Sequence, residues 1–241
     1  MFESEIKKAN YAFLLAKYGG IEHLFTEIKR RIYHKTVSIG LEKDLNEPDI
    51  EIQPRTDYTL KLAEREDIEE INNYIKTEGK QSRLYLLYRK WFYDAGFNNC
   101  YIARSTDTNE LCYMQWIISQ YDQNSNSPIF KSSYNFVRLG EYDAQLENAY
   151  TFVKYRGKKI MPSVMNKLFQ IARNRGFKRV ITYVGSDNIS SLKGCHSVGF
   201  KQFEQIHINL FLLSARRLII PTRQPASSGN ELISNVNSPV L

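Results

Sequence analysis

Cysteine is scarce, and that scarcity excludes two common ways of holding a small fold together. Cys100, Cys112 and Cys195 are odd in number and share no ligand spacing, so neither a disulfide framework nor a thiolate metal site is expected. Reduced thiols in a cytoplasmic protein are the simplest reading. A hydrophobic run of spanning length is also missing. The most apolar stretch, Ile206 to Leu213, is interrupted by His207 and Asn209 and falls far short of the roughly 20 residues a spanning helix needs. The first ten residues are polar and charged, without the apolar centre of a signal peptide. No membrane span is expected, and no internal repeat is found. Acidic residues are absent from Asn148 to Ser186, a stretch that holds nine basic ones.

What remains is an ordinary globular composition with an uneven charge. The 241 residues are 42% hydrophobic and 24% charged, enough for one enlarged domain or one domain with an appendage. Sixteen Tyr and 13 Phe argue for strands and aromatic-lined grooves and against general disorder. The net charge is +7; the basic stretch alone carries +9, which leaves a near-neutral body. One basic segment on such a body suits an anionic partner: a phosphorylated cofactor, nucleic acid or an acidic membrane. Composition does not choose among them.

Residues 1–35 read as helical, with Tyr11, Leu14, Leu15 and Tyr18 on one stripe and Leu24, Phe25, Ile28 and Ile32 on another. Residues 36–56 are poorly periodic and carry Pro48 and Pro54, so residues 1–55 are expected to form a helical extension and a connector. Alternation over 58–62 predicts a strand. Helices are predicted near 67–75 and 81–93, the second closed by Gly96. Two strands, 99–104 and 110–119, flank a polar turn in a hairpin pattern, and 122–128 reads as a loop. A strand at 149–153 precedes a helix over 160–175, with Val164, Leu168 and Ile171 on its stripe. A strand at 179–184, a short helix capped by Asp187 or Asn188, and strands at 200–213 and 216–220 complete the order. Residues 223–241, rich in Pro, Ser and Asn, read as a disordered tail. The predicted class is a mixed α/β (α+β) domain over 56–222, a central mixed sheet flanked by helices.

The basic turn lies between the strand ending at Val153 and the helix opening near Ile160. Pro162 falls in the first helical turn, where its missing N–H does no harm. The free N–H groups of that turn, with the positive helix end behind them, form an anion site by geometry. Lys154, Arg156, Lys158 and Lys159 enrich it. A solvated basic face is the plain alternative, and the residues alone leave both open.

Residues 56–215 resemble the GNAT superfamily of acyl-CoA-dependent N-acyltransferases. The family's pyrophosphate turn reads Arg/Gln-x-x-Gly-x-Gly/Ala, and this chain has Arg156-Gly157-Lys158-Lys159-Ile160-Met161 in its place. The family's two small residues therefore fall on Lys159 and Met161; the Met161 side chain either crowds the phosphate approach or points away into packing. The Gly176–Phe177 turn with its strand, then Asn188, Ser191 and the closing Gly199–Phe200, follow the family's order. The resemblance implies a GNAT-like fold that uses acetyl-CoA or another acyl-CoA as cosubstrate and no metal. It places the pyrophosphate on the backbone of Arg156, Gly157, Lys158, Lys159, Ile160 and Met161. Pantetheine would lie between strands 149–153 and 180–184, pairing around Phe152 and Val153, with Asn188 and Ser191 also on the cofactor side.

An amine that attacks a thioester needs orientation, a base, a polarised carbonyl and a proton for the departing thiolate. The resemblance gives Glu147 as the base, with Glu141 and Asp143 as weaker alternatives. A Tyr that many members carry seven residues after the Asn falls here on Cys195, a thiol that either donates the proton or only packs; His196 beside it points to another helix face. Tyr150, Tyr183 and His207 are expected to line the acceptor pocket. The expected activity is acetyl or acyl transfer to a small-molecule amine, an amino sugar being one candidate, by direct attack in a ternary complex. The alternatives are an inactive CoA-binding module and a nucleic-acid binder using residues 154–179. A homodimer is compatible with this sequence and not required by it.

Overall fold

Eight strands, the central ones buried on both faces, assemble into one sheet in the computed structural model, which describes residues 33–124, 137–211 and 214–222. The helices expected over residues 1–32 and the tail expected over 223–241 lie outside the described residues. The strands are β1 (Tyr33–Asp44), β2 (Tyr58–Leu62), β3 (Cys100–Ser105), β4 (Leu111–Ser119), β5 (Asp143–Thr151), β6 (Arg179–Gly185), β7 (Lys201–Phe211) and β8 (Ser214–Pro221). The helices are α1 (Arg65–Thr77), α2 (Lys80–Asp94), α3 (Gln120–Asn124), α4 (Ile160–Asn174) and α5 (Ile189–Ser197). Spatial order is β2-β3-β4-β5-β6-β1-β7-β8. β5 and β6 run parallel, and every other neighbouring pair among the described residues is antiparallel.

The strand β1 departs most from the sequence reading, which had a connector over 36–56. It inserts between β6 and β7, pairing with both. Its core-facing positions are Ile39, Leu41 and Lys43, all buried. Lys43 hides the alternation in the sequence. Its stem is buried, while its ammonium donates to the Pro48 carbonyl at 3.1 Å and pairs with Glu47 at 3.5 Å. The two prolines that suggested a connector lie beyond the strand, in residues 45–57.

Each face of the sheet is covered by a helix pair. α1 starts with a reciprocal cap between Glu64 and Asp67 and buries Ile68, Ile71 and Ile75. α2 sets Phe92 edge-on against Trp116 of β4, ring centroids 5.4 Å apart. On the opposite face α4 buries Val164, Leu168, Phe169 and Ala172 completely, and burial of each larger side chain contributes about 1.5–3 kcal/mol. Phe169 also meets Phe200, which follows α5. No helix among the described residues is long and apolar enough to cross a membrane.

The parallel pair matters most for function. β5 and β6 pair only from Asp143 to Gln145, against Arg179 to Ile181. Arg179 closes that end with two bonds to Asp143, at 2.9 and 2.8 Å. The Thr182 hydroxyl donates to the Leu146 carbonyl at 2.9 Å, and beyond it the ladder stops. The two strands therefore leave a split in the middle of the sheet, opening toward their C-terminal ends.

Candidate functional site

A bulge widens the split. Met114 pairs with Tyr150 and Trp116 with Glu147, so Asn148 and Ala149 together oppose Gln115. Asn148 takes a left-handed φ of 56° to make the bend. The carbonyls that tilt out of the ladder are caught by Arg89 of α2, which donates to Asn148 O at 3.0 Å and Ala149 O at 2.6 Å. A third bond goes to Tyr85 O at 2.8 Å. Arg89 is buried; its burial alone would be costly, and these three acceptors satisfy it. Sequence reasoning missed it, although its three-residue spacing from Leu86 and Phe92 puts it on the core stripe of α2.

The bulge presents Glu147, which sits at the middle of β5 rather than at its start. Its carboxylate is half-buried and accepts from Gln145 Nε2 at 2.7 Å. Burial pushes its pKa up, offset partly by Gln145, the Asn148 N–H and the charge of Arg89. Glu141 is exposed, and Asp143 is engaged by Arg179, which holds it below the usual carboxylate range. Strand register puts Glu147, Tyr150 and Tyr183 on one sheet face, the face covered by α1 and α2. The Tyr150 hydroxyl donates to Glu78 at 2.6 Å, and Tyr183 donates to Glu204 of β7 at 2.7 Å. Both phenols are held in their protonated form chiefly by burial. Gly40 of β1 leaves room for that second pair: a Cβ there would lie 2.7 Å from Glu204 Cγ and 3.0 Å from Tyr183 Cε1.

His207 does not join this group. It lies three residues beyond Glu204 in an alternating strand and contacts Gln205, so both project from the opposite face. Cys195 is also separated from it. The thiol is buried on α5, on the far side of the sheet beside Tyr113, and burial pushes its pKa to about 12. His196 bonds the Phe200 carbonyl at 3.1 Å.

At the mouth of the split the chain makes a short 3-10 turn over Val153–Tyr155 and then the basic turn. Gly157 (φ 74°) and Lys159 (φ 58°) both adopt left-handed conformations, and Lys159 is the N-cap residue of α4. Lysine thus holds the backbone shape that glycine adopts freely. The Met161 side chain resolves the alternative left open by the sequence. Its Cε lies 3.0 Å from the position a Cβ would take on Gly194 of α5, so it fills the α4–α5 contact. Ile160 is buried. Arg156 is exposed, donates to Thr151 O at 3.2 Å and lies over the Tyr150 ring. Lys158 lies over the Tyr155 ring, and Lys154 pairs with Glu110.

At the expected pairing edge, the backbone of Phe152 and Val153 is already engaged. The Phe152 N–H already bonds the Cys112 carbonyl, and its own carbonyl accepts from Tyr155. Val153 has turned into the 3-10 helix, its carbonyl accepting from Arg156 N. Because backbone groups alternate along an antiparallel ladder, it is Thr151 that faces the split. Asn188 caps α5 by accepting from the Ser191 N–H at 3.2 Å, so both residues serve the helix start. Among the described residues no group of His, Cys, Asp and Glu could hold a metal ion.

The basic stretch is not a continuous cationic surface. Arg173 grips Asp49 with two bonds of 2.7 Å, Arg179 engages Asp143 and Glu42, and Lys167 and Lys178 lie over Tyr58 and Tyr142. At the turn Lys154 is likewise paired with Glu110 and Lys158 lies over Tyr155, while Arg156 and Lys159 are exposed.

Comparison with known proteins bears on the same region. The model of the acetyltransferase (GNAT) family matches residues 65–200. A fungal multi-domain GH3 beta-N-acetylglucosaminidase, described as holding a GCN5-related glucosamine N-acetyltransferase region, is similar over 78% of this chain and 22% of its own, at 12% identity and a TM-score of 0.54. A GCN5-related N-acetyltransferase from Sphaerobacter thermophilus is similar over 84% of this chain and 58% of its own, at 10% identity and a TM-score of 0.47. The chain thus spans less than two-thirds of either protein. No curated protein matches the sequence.

Proposed function

Because the chain belongs to the acetyltransferase (GNAT) family, we propose that it moves an acetyl or other acyl group from acyl-CoA to the amine of a small molecule, by direct attack in a ternary complex. One observation carries this reading: the β5–β6 split has a left-handed basic turn and a helix N-terminus at its mouth and a half-buried carboxylate on its wall. The exposed Arg156 and the unpaired first-turn N–H groups of α4 suit a pyrophosphate, and the Thr151 edge suits an amide-bearing arm. Acyl-CoA supplies a thioester-activated acyl group. Glu147 takes the proton from the acceptor ammonium, its raised pKa bringing it nearer neutrality as a base. Tyr150 and Tyr183 border the acceptor on either side, and Glu78 and Glu204 fix their hydroxyls. With Cys195 buried on the other face, water protonates the leaving thiolate. An amino sugar fits this polar, aromatic-edged site.

Calorimetric titration with acetyl-CoA and CoA, followed by thiol release on an amine panel, tests the reading. Arg156→Ala should weaken CoA by roughly 5- to 150-fold, the worth of one charge-assisted contact, and leave pantetheine unaffected. Absence of CoA binding up to millimolar concentration would sink the proposal. A family member that binds CoA without turnover on any amine would favour a sensing module instead.

A further inference from the structure

The left-handed Lys159 raises a question that the family motif does not answer: what keeps the turn in a shape that lysine disfavours? No side chain caps the helix there. The described contacts point to residues 45–57, which precede the family-matched region and run as a strap across the outer side of α4. The Arg55 N–H donates to the Lys158 carbonyl at 2.9 Å, the peptide immediately before the strained residue. The strap is itself anchored along the helix. Asn166 Nδ2 donates to Ile50 O at 2.6 Å, and Arg173 bonds Leu45 O, Glu47 O and the Asp49 carboxylate. Where the strap ends, Tyr58 meets Ser163 hydroxyl to hydroxyl at 2.8 Å, with Lys167 over its ring. A cavity of about 270 Å³ remains between strap and helix; Gln53 and Asp57 line it from the strap, and Tyr58 links to both Ser163 and Lys167 on its other wall.

We infer that the strap is a positioning element for the anion-binding turn, and that the Arg55 backbone N–H does the work glycine would otherwise do at position 159. A turn free to leave the left-handed region would expose its N–H groups to a phosphate only part of the time, and apparent affinity falls by the fraction of time lost. By pinning the Lys158 carbonyl, the strap holds the competent shape. The inference rests on the acyl-CoA reading for its ligand, and on the structure alone for the turn.

The test is a double-mutant cycle on the full chain, with CoA and pantetheine as probes. Arg55→Pro removes the single N–H donor. It should weaken CoA roughly 5- to 30-fold, the equilibrium equivalent of one residue's left-handed strain, and leave pantetheine binding in place. In the Lys159→Gly background the same Arg55→Pro change should cost less than about threefold, because glycine needs no restraint. Asn166→Ala, which loosens the strap without touching the backbone at Arg55, should reproduce part of the loss and be rescued in the same way. Equal losses in both backgrounds, or for both ligands, would overturn the inference. Hydrogen exchange at the Ser163 amide, which donates to the Lys159 carbonyl at 3.3 Å, is read in parallel without ligand: faster in Arg55→Pro, and restored by adding Lys159→Gly. If wild-type protein bound no CoA, the acyl-CoA reading would fall, and the exchange data would still decide whether the strap holds the turn.

Discussion

At the residue scale the sharpest claim concerns Glu147. A carboxylate whose pKa is raised by burial binds its proton more tightly in the folded chain than in the unfolded one. Its stabilising contribution is therefore complete below the ordinary carboxylate pKa and is lost as pH rises through the raised folded value. Glu147→Gln removes that dependence. Denaturant titrations at pH ~4 and ~8 should show the variant gaining on wild type only at the higher pH. As a base, Glu147 should also matter to rate: the variant should keep its CoA affinity and lose roughly 100-fold or more in kcat/KM, with the acidic limb of the pH profile flattened. An unchanged limb would remove Glu147 from the proton transfer. Cys195 offers a contrast, since a buried thiol with a pKa near 12 behaves as a small apolar side chain.

At the scale of elements, the site depends on strands that had to be kept apart as much as on strands that pair. Arg89 ties α2 to the β5 bulge by bonding two carbonyls the ladder no longer uses, and Arg179 closes the other end on Asp143. Between β6 and β7, Gly40 leaves space for the Tyr183–Glu204 pair. Gly40→Ala should force those side chains aside and destabilise the fold by about 1–3 kcal/mol, the usual cost of overpacking. If the acceptor binds as proposed beside Tyr183, the same change should raise the KM for the acceptor amine more than the Kd for CoA. Urea denaturation and separate titrations of the two substrates would check both parts; a larger effect on CoA would place Tyr183 and Glu204 elsewhere in the reaction.

For the whole molecule, the central fact is that the family-matched segment is not a complete sheet. It holds β3 to β6 but lacks β1, which supplies the strand between β6 and β7. Deleting residues 1–45 would strip the unmatched edges of two strands and expose Ile206 and Val184. The shortened chain should be insoluble or fail to show a cooperative unfolding transition, and a synthetic peptide covering residues 33–45 should restore a fraction of soluble, CoA-binding protein. A shortened chain that melts cooperatively by itself would mean that β6 and β7 can pair directly.

The sequence by itself determined the order of strands from β2 to β8 and of the helices between them apart from α3, and it put a basic turn before α4. These are local features: periodicity, a basic turn before a helix, and residues in a familiar order. Only the tertiary structure placed β1, because a strand's neighbours are chosen by the exposed edges it meets, and Lys43 concealed the alternation by burying its stem. Face assignments were decided there too. His207 and Tyr183 look equivalent in one dimension, yet strand register turns them to opposite sides of the sheet. The ladder with β4 takes up the Phe152 N–H, which periodicity alone does not reveal. The side chain of Met161 and the left-handed Lys159 were likewise settled by their surroundings: a gap over Gly194 for the first, and for the second a backbone contact from a residue more than a hundred positions away.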